Sequence, residues 1–91
     1  MPYNVQFRKQ AQDDLARLAK NEPKAFKKAQ TYIEELKDHP TWGLGHPEQL
    51  KGDLAGKWSR QITKKHRLVY EVNDNEVVVI VITAYGHYGD K

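Results

Sequence analysis

Residues 66–85 read HRLVYEVNDNEVVVIVITAY, two strand-like runs around a turn, and this stretch decides the fold. In the first run Leu68, Tyr70 and Val72 alternate with Arg67, Val69 and Glu71, the two-residue period of a strand that turns one face to a core. Asn73-Asp74-Asn75-Glu76 supplies turn chemistry, because short amide and carboxylate side chains bond back to their own backbone. The second run, Val77 to Tyr85, is apolar at nearly every position, as a central strand covered on both faces must be. Strands over His66–Val72 and Val77–Tyr85 therefore form the middle of a sheet.

Working outward, Lys57 to Ile62 and Glu48 to Lys51 read as two further strands, separated by a turn at Asp53-Leu54-Ala55-Gly56. Residues 40–47 hold two prolines and two glycines and form a loop. Before the loop the period changes. Ala25, Ala29, Tyr32, Ile33 and Leu36, joined by Phe26, share one helical face, and His39-Pro40 ends that helix. Ala11, Leu15, Leu18 and Ala19 give an earlier helix over 9–20, closed by Asn21-Glu22-Pro23. Tyr3, Val5 and Phe7 alternate in a first strand. The order β-α-α-β-β-β-β predicts an α+β fold, two N-terminal helices packed on a mostly antiparallel twisted sheet, in one domain over 1–91.

Composition narrows the function classes. With no cysteine among 91 residues, disulfides and thiolate metal sites are excluded. The longest apolar run, Val77 to Ile82, is far below the roughly 18 residues of a membrane span, and the start lacks a signal-peptide core. A cytoplasmic protein without a membrane partner is expected. The net charge is +3, but Lys51 to Arg67 holds six basic residues (Lys51, Lys57, Arg60, Lys64, Lys65, Arg67) against one acid, Asp53. A local excess of this kind suits a polyanion, since each cation facing a phosphate releases condensed counterions; a solvated surface explains it equally well.

Few residues are placed to do chemistry. Glu48 follows a proline at the end of the loop and stands near Lys51, so its carboxylate has a defined direction, although an exposed glutamate at a strand edge is the plainer reading. Arg60 and Arg67 fall on neighbouring strands around Thr63-Lys64-Lys65, where they could hold one phosphate in a fork or simply be solvated. His66 reads as structural. His87 follows Gly86, which permits a bend. Four histidines without regular ligand spacing argue against a metal site, and no phosphate loop, nucleophile elbow or dinucleotide motif is present. A glutamate, an arginine and a histidine on a basic sheet suffice for metal-free RNA cleavage by attack of the ribose 2′-OH on the adjacent phosphorus.

The segments Gly45 to Lys51, Leu54 to Arg60 and Ile62 to Tyr70, with His87-Tyr88 at the end, resemble the YoeB/Txe family of RelE-like toxins, whose fold is shared with microbial ribonucleases. The resemblance implies a toxin of a type II toxin–antitoxin system that cuts messenger RNA in the A site of the bacterial ribosome without a cofactor. By it Glu48 matches the general base, His87 the general acid and Arg67 the arginine that steadies the phosphate. Lys51 and Arg60 match supporting phosphate or RNA contacts, and Tyr88 a substrate-positioning tyrosine. Lys57, Lys64 and Lys65 are added as RNA contacts from the basic stretch. The implied partners are messenger RNA, the ribosome, a YefM/Axe-like antitoxin whose C-terminal segment wraps the toxin, and, in several members, a second copy. Gln61 departs from the pattern, standing where relatives often carry a second arginine, and Gly89-Asp90-Lys91 extends past the His-Tyr pair.

One expectation is geometric. A two-residue turn at Asp74-Asn75 would set Arg67 opposite Ile82 and send His87 to the other face, so the proposed site requires a one-residue change in loop length or a bulge near Gly86. From a different class, a non-catalytic inhibitor that binds RNA or the ribosome would use the same basic stretch.

Overall fold

The computed structural model describes residues 2–52 and 55–86. Its elements are β1 (Asn4–Phe7), α1 (Lys9–Asn21), α2 (Pro23–Leu36), β2 (Glu48–Gln49), β3 (Lys57–Gln61), β4 (Arg67–Asn73) and β5 (Val78–Thr83), in the predicted order. The two helices are split by Pro23, which occupies the first helical position of α2. α1 runs one residue past expectation, through Asn21, and Glu22 rather than Asn21 is the junction: its N–H closes α1 on the Leu18 carbonyl at 2.7 Å, and its carbonyl accepts from Phe26 at 3.0 Å.

Five strands form one sheet in the order β1-β5-β4-β3-β2. β1 lies parallel to β5, and the remaining pairs are antiparallel. One face carries Leu68, Tyr70, Val79 and Val81 against Ala11 and Leu18 of α1 and Ala25, Ala29, Tyr32 and Leu36 of α2. These are the apolar stripes of the helical and strand periods, so burial of a shared face drives helix onto sheet. Among the described residues no helix is long and apolar enough to cross a membrane.

Two strands, β2 and β5, fall two or more residues short of the sequence reading. β2 pairs only Glu48 with Ser59 and Gln49 with Trp58, after which Leu50 N–H donates to the Lys57 carbonyl at 2.9 Å and the ladder stops. β5 starts at Val78 because Val77 sits at φ 55°, a left-handed angle that interrupts the strand. The hairpin turn consequently spans four residues, 74–77, with Asn73 opposite Val78.

An irregularity of the expected kind is present, at Ile82 rather than near Gly86. Tyr70 pairs with Val81 but Val69 pairs with Thr83, leaving Ile82 as the extra residue of a bulge. The bulge moves Thr83 onto the Val69 face and so reverses the parity; the turn, four residues rather than two, leaves it unchanged.

Candidate active site

The sheet face away from the helices is built from alternate residues of three antiparallel strands. Ladder partners share a face, so Glu48 (β2), Ser59 (β3), Val69 (β4) and Thr83 (β5) form one row across it. The next row pairs Gln61 with Arg67, and the row on the opposite side pairs Lys57 with Glu71. Glu48 and Arg67 thus lie on strands either side of β3, one row apart, and their side chains reach across it to meet with Oε1 to Nη1 at 3.9 Å. The carboxylate is 60% exposed and the guanidinium only 18%, so an open acid faces a partly desolvated cation.

Local backbone aims the acid. Gly45 (φ 79°) and His46 (φ 52°) turn the chain through left-handed conformations before Pro47, and Gln61 N–H donates to the Gly45 carbonyl at 2.7 Å. A non-glycine residue held at such an angle is uncommon, and here it precedes the candidate catalytic glutamate by two positions. Lys51 is exposed just beyond the end of β2, half-buried Lys57 stands in the row beside Ser59, and Lys64 and Lys65 are exposed in the turn after Gln61. Cations therefore flank the Glu48–Arg67 pair at both ends. His87 and Tyr88 lie outside the described residues. No group of histidine, aspartate and glutamate able to hold a metal occurs among the described residues.

Arg60 corrects the sequence reading. It pairs with Leu68, one position out of phase with Arg67, so the two arginines occupy opposite faces and cannot share a phosphate. Its side chain is fully buried. Nη1 donates to Glu35 Oε1 at 2.6 Å and to the Leu44 carbonyl at 3.3 Å; Nη2 donates to the carbonyls of His39 at 2.8 Å and Trp42 at 3.0 Å; Nε donates to the Tyr70 hydroxyl at 3.2 Å. With its donors engaged inside the protein, Arg60 is the core of the loop that leads to Glu48 rather than an RNA contact. Burial pushes the Glu35 carboxyl up, but the Arg60 hydrogen bond, the Leu44 N–H and the nearby charges outweigh it and hold Glu35 below the usual carboxylate range. Burial raises the Tyr70 hydroxyl, against the pull of Arg60.

At the other end of the face the chain is clamped at Gly86. Its carbonyl accepts from Arg67 N–H at 2.9 Å, and its N–H donates to His66 Nδ1 at 2.8 Å. His66 is buried, as a structural histidine should be, and its Nε2 meets Glu22 Oε2 at 2.6 Å. Neither Glu22 nor Glu35 stood out in the sequence.

A small α+β domain with two helices on one face and an acid–guanidinium pair among cations on the other has the architecture of the RelE-like bacterial toxins. The family model described as "YoeB-like toxin of bacterial type II toxin-antitoxin system" matches residues 7–88. The chain is 37% identical over 76 residues to Toxin YoeB of Streptomyces coelicolor, covering 84% of this chain and 90% of that protein. A YoeB/ParE toxin from Agrobacterium tumefaciens superposes with a TM-score of 0.86 at 36% identity, over 93% of this chain and 99% of the other. YoeB of Staphylococcus aureus, solved as a dimer and in complex with YefM, superposes with TM-scores of 0.81 and 0.79 at 34% and 32% identity, each over 97% of this chain and 100% of the other. The chain belongs to the family of YoeB-like toxins of bacterial type II toxin–antitoxin systems.

Proposed function

We propose that this toxin is a ribosome-dependent, metal-independent endoribonuclease that cuts messenger RNA in the A site. The observation that carries the reading is the meeting of an exposed Glu48 and Arg67 among cations on the sheet face away from the helices. In the proposed reaction Glu48 takes the proton of a ribose 2′-OH, the 2′ oxygen bonds to the adjacent phosphorus, and the bond from phosphorus to the 5′ oxygen breaks. Arg67 stabilises the charge that builds on the phosphoryl oxygens, and His87 protonates the departing 5′ oxygen. A 2′,3′-cyclic phosphate and a 5′-hydroxyl result, with no external water or metal needed in this step. DNA lacks the nucleophile and is inert.

Lys51, Lys57, Lys64 and Lys65, with Tyr88, are proposed to bind the message or ribosomal RNA. A YefM/Axe-like antitoxin is the proposed partner that silences the protein, and a second copy the proposed partner in a dimer; the relatives solved as a dimer and as a YoeB–YefM complex support both.

The test is primer extension on a translated message with the purified toxin. Discrete new 5′ ends are expected for the wild type, and Glu48→Gln should cut about 10²–10⁴-fold more slowly, the usual worth of a general base. Arg67→Ala should lose on the order of 10²–10³-fold, as for loss of a charge-stabilising donor. Stalled ribosomes carrying intact message would instead establish a non-catalytic inhibitor.

A further inference from the structure

We infer that His66, oriented by Glu22, is a positioning residue for the proposed nuclease, acting through the clamp on Gly86; the inference rests on the nuclease reading above. The tautomer follows from the hydrogen bonds. Because Gly86 N–H donates to Nδ1 at 2.8 Å, that nitrogen must present a lone pair, and the ring proton sits on Nε2, where it donates to Glu22 Oε2 at 2.6 Å. Glu22 belongs to the junction between α1 and α2, so the helical layer sets the orientation of a ring at the start of β4.

Everything packed on the ring serves the same placement. The His66 backbone N–H donates to Thr63 Oγ1 at 3.1 Å, and Tyr85 lies against the imidazole at 4.3 Å between centroids. The Arg17 guanidinium covers that tyrosine at 3.8 Å from its centre. Gly86 is then held on both polar groups, by His66 through its N–H and by Arg67 through its carbonyl. The two clamping residues are consecutive, and the second is the proposed phosphate-steadying arginine. The residue after Gly86 in the sequence is His87, the proposed acid. With its lone pair on Nδ1, His66 thus fixes Gly86 relative to the backbone of Arg67.

Two substitutions separate the ring nitrogens. His66→Asn places an amide oxygen where Nδ1 stands, keeping the acceptor for Gly86 while giving up Glu22. His66→Gln reaches Glu22 but removes the acceptor. For a positioning role, His66→Gln lowers the single-turnover rate on ribosome-bound message on the order of 10²-fold with little change in KM, because a misplacement of about 1 Å is enough to do so. His66→Asn stays within a few-fold of wild type. Glu22→Ala, at a side chain 34% exposed and so tolerated by the fold, slows the same step several-fold at unchanged KM.

The Gly86 amide gives a readout independent of cleavage: its hydrogen exchange is protected in the wild type and in His66→Asn and fast in His66→Gln. A folded His66→Gln protein, or Glu22→Ala if that variant does not fold, cutting at the wild-type rate overturns the inference. An unprotected Gly86 amide in the wild type does so too. A wild type that protects Gly86 yet cuts no message overturns the nuclease reading, and the positioning role with it, while leaving the clamp itself intact.

Discussion

Arg60 shows how one side chain fixes a loop from inside. A guanidinium has five N–H donors in a rigid fork, and here they meet one carboxylate, three backbone carbonyls and one phenol hydroxyl. Residues 39–44 are thereby bound to α2, and Trp42 and Leu44 are left exposed at the surface. Removing the carboxylate would strand a buried cation, so Glu35→Gln should cost about 2–3 kcal/mol at neutral pH, somewhat less than for a fully buried pair because Glu35 is 20% exposed. The sign with pH follows from the depressed carboxyl. Its contribution is complete above the ordinary carboxylate value and is lost as pH falls through the lower folded one. Urea unfolding of wild type and variant should show a stability gap at pH 7 that narrows steadily into the acid range; a gap independent of pH would remove Glu35 as its source. The burial of Arg60 had a sequence signal, for Trp58 and Ile62 lie two positions to either side and share its face by strand alternation. What the sequence could not disclose was the set of carbonyls, because they come from an irregular loop with no period to read.

Among the elements, helices and strands were legible where the period was long and unbroken. α1, α2, β3 and β4 stand within about a residue or two of their readings, because α1, α2 and β4 hide apolar stripes and β3 alternates Trp58 and Ile62 about Arg60. β2 and β5 came out shorter, since local backbone angles and a vanishing ladder, rather than hydrophobicity, end them. The need for an irregularity in the last hairpin was deduced from the requirements of a site, but its location at Ile82 rather than near Gly86 depends on packing that no local pattern encodes. The 40–47 loop is the element most sensitive to small changes. A Cβ on Gly43, at φ +123°, would stand 2.2 Å from Glu35 Oε1, and one on Gly45, at φ +79°, 2.8 Å from the Tyr32 ring. Gly43→Ala should therefore destabilise by about 1–3 kcal/mol through backbone strain and displacement of Glu35 from Arg60. Thermal melting checks this. Paired with Glu35→Gln the losses should be less than additive, since both act on the same contact.

For the whole molecule, the architecture was readable as a list of parts and less so as an arrangement. β1 lies parallel to β5 across more than seventy residues of sequence, and Tyr3 OH donates to Asp74 at 2.6 Å in the hairpin turn, which raises the tyrosine above its ordinary range. Neither contact has a local signature, because pairing of the first strand with the last is selected by the assembled core. The site itself was half legible. Family resemblance pointed to Glu48 and Arg67, and the ladder explains how residues nineteen positions apart in sequence come to flank β3 on one face of the sheet. That ladder is uneven: Glu48 rides on a two-residue strand at the margin of the sheet, bonded to a neighbour on one side only. Short marginal segments open with less free energy than the body of a fold, by subglobal fluctuation. During a gradual urea titration the proposed cleavage should vanish while the helical circular dichroism is still native, and coincident midpoints would tie Glu48 to the global unit. A toxin built this way would be disarmed by mild stress well before it unravels.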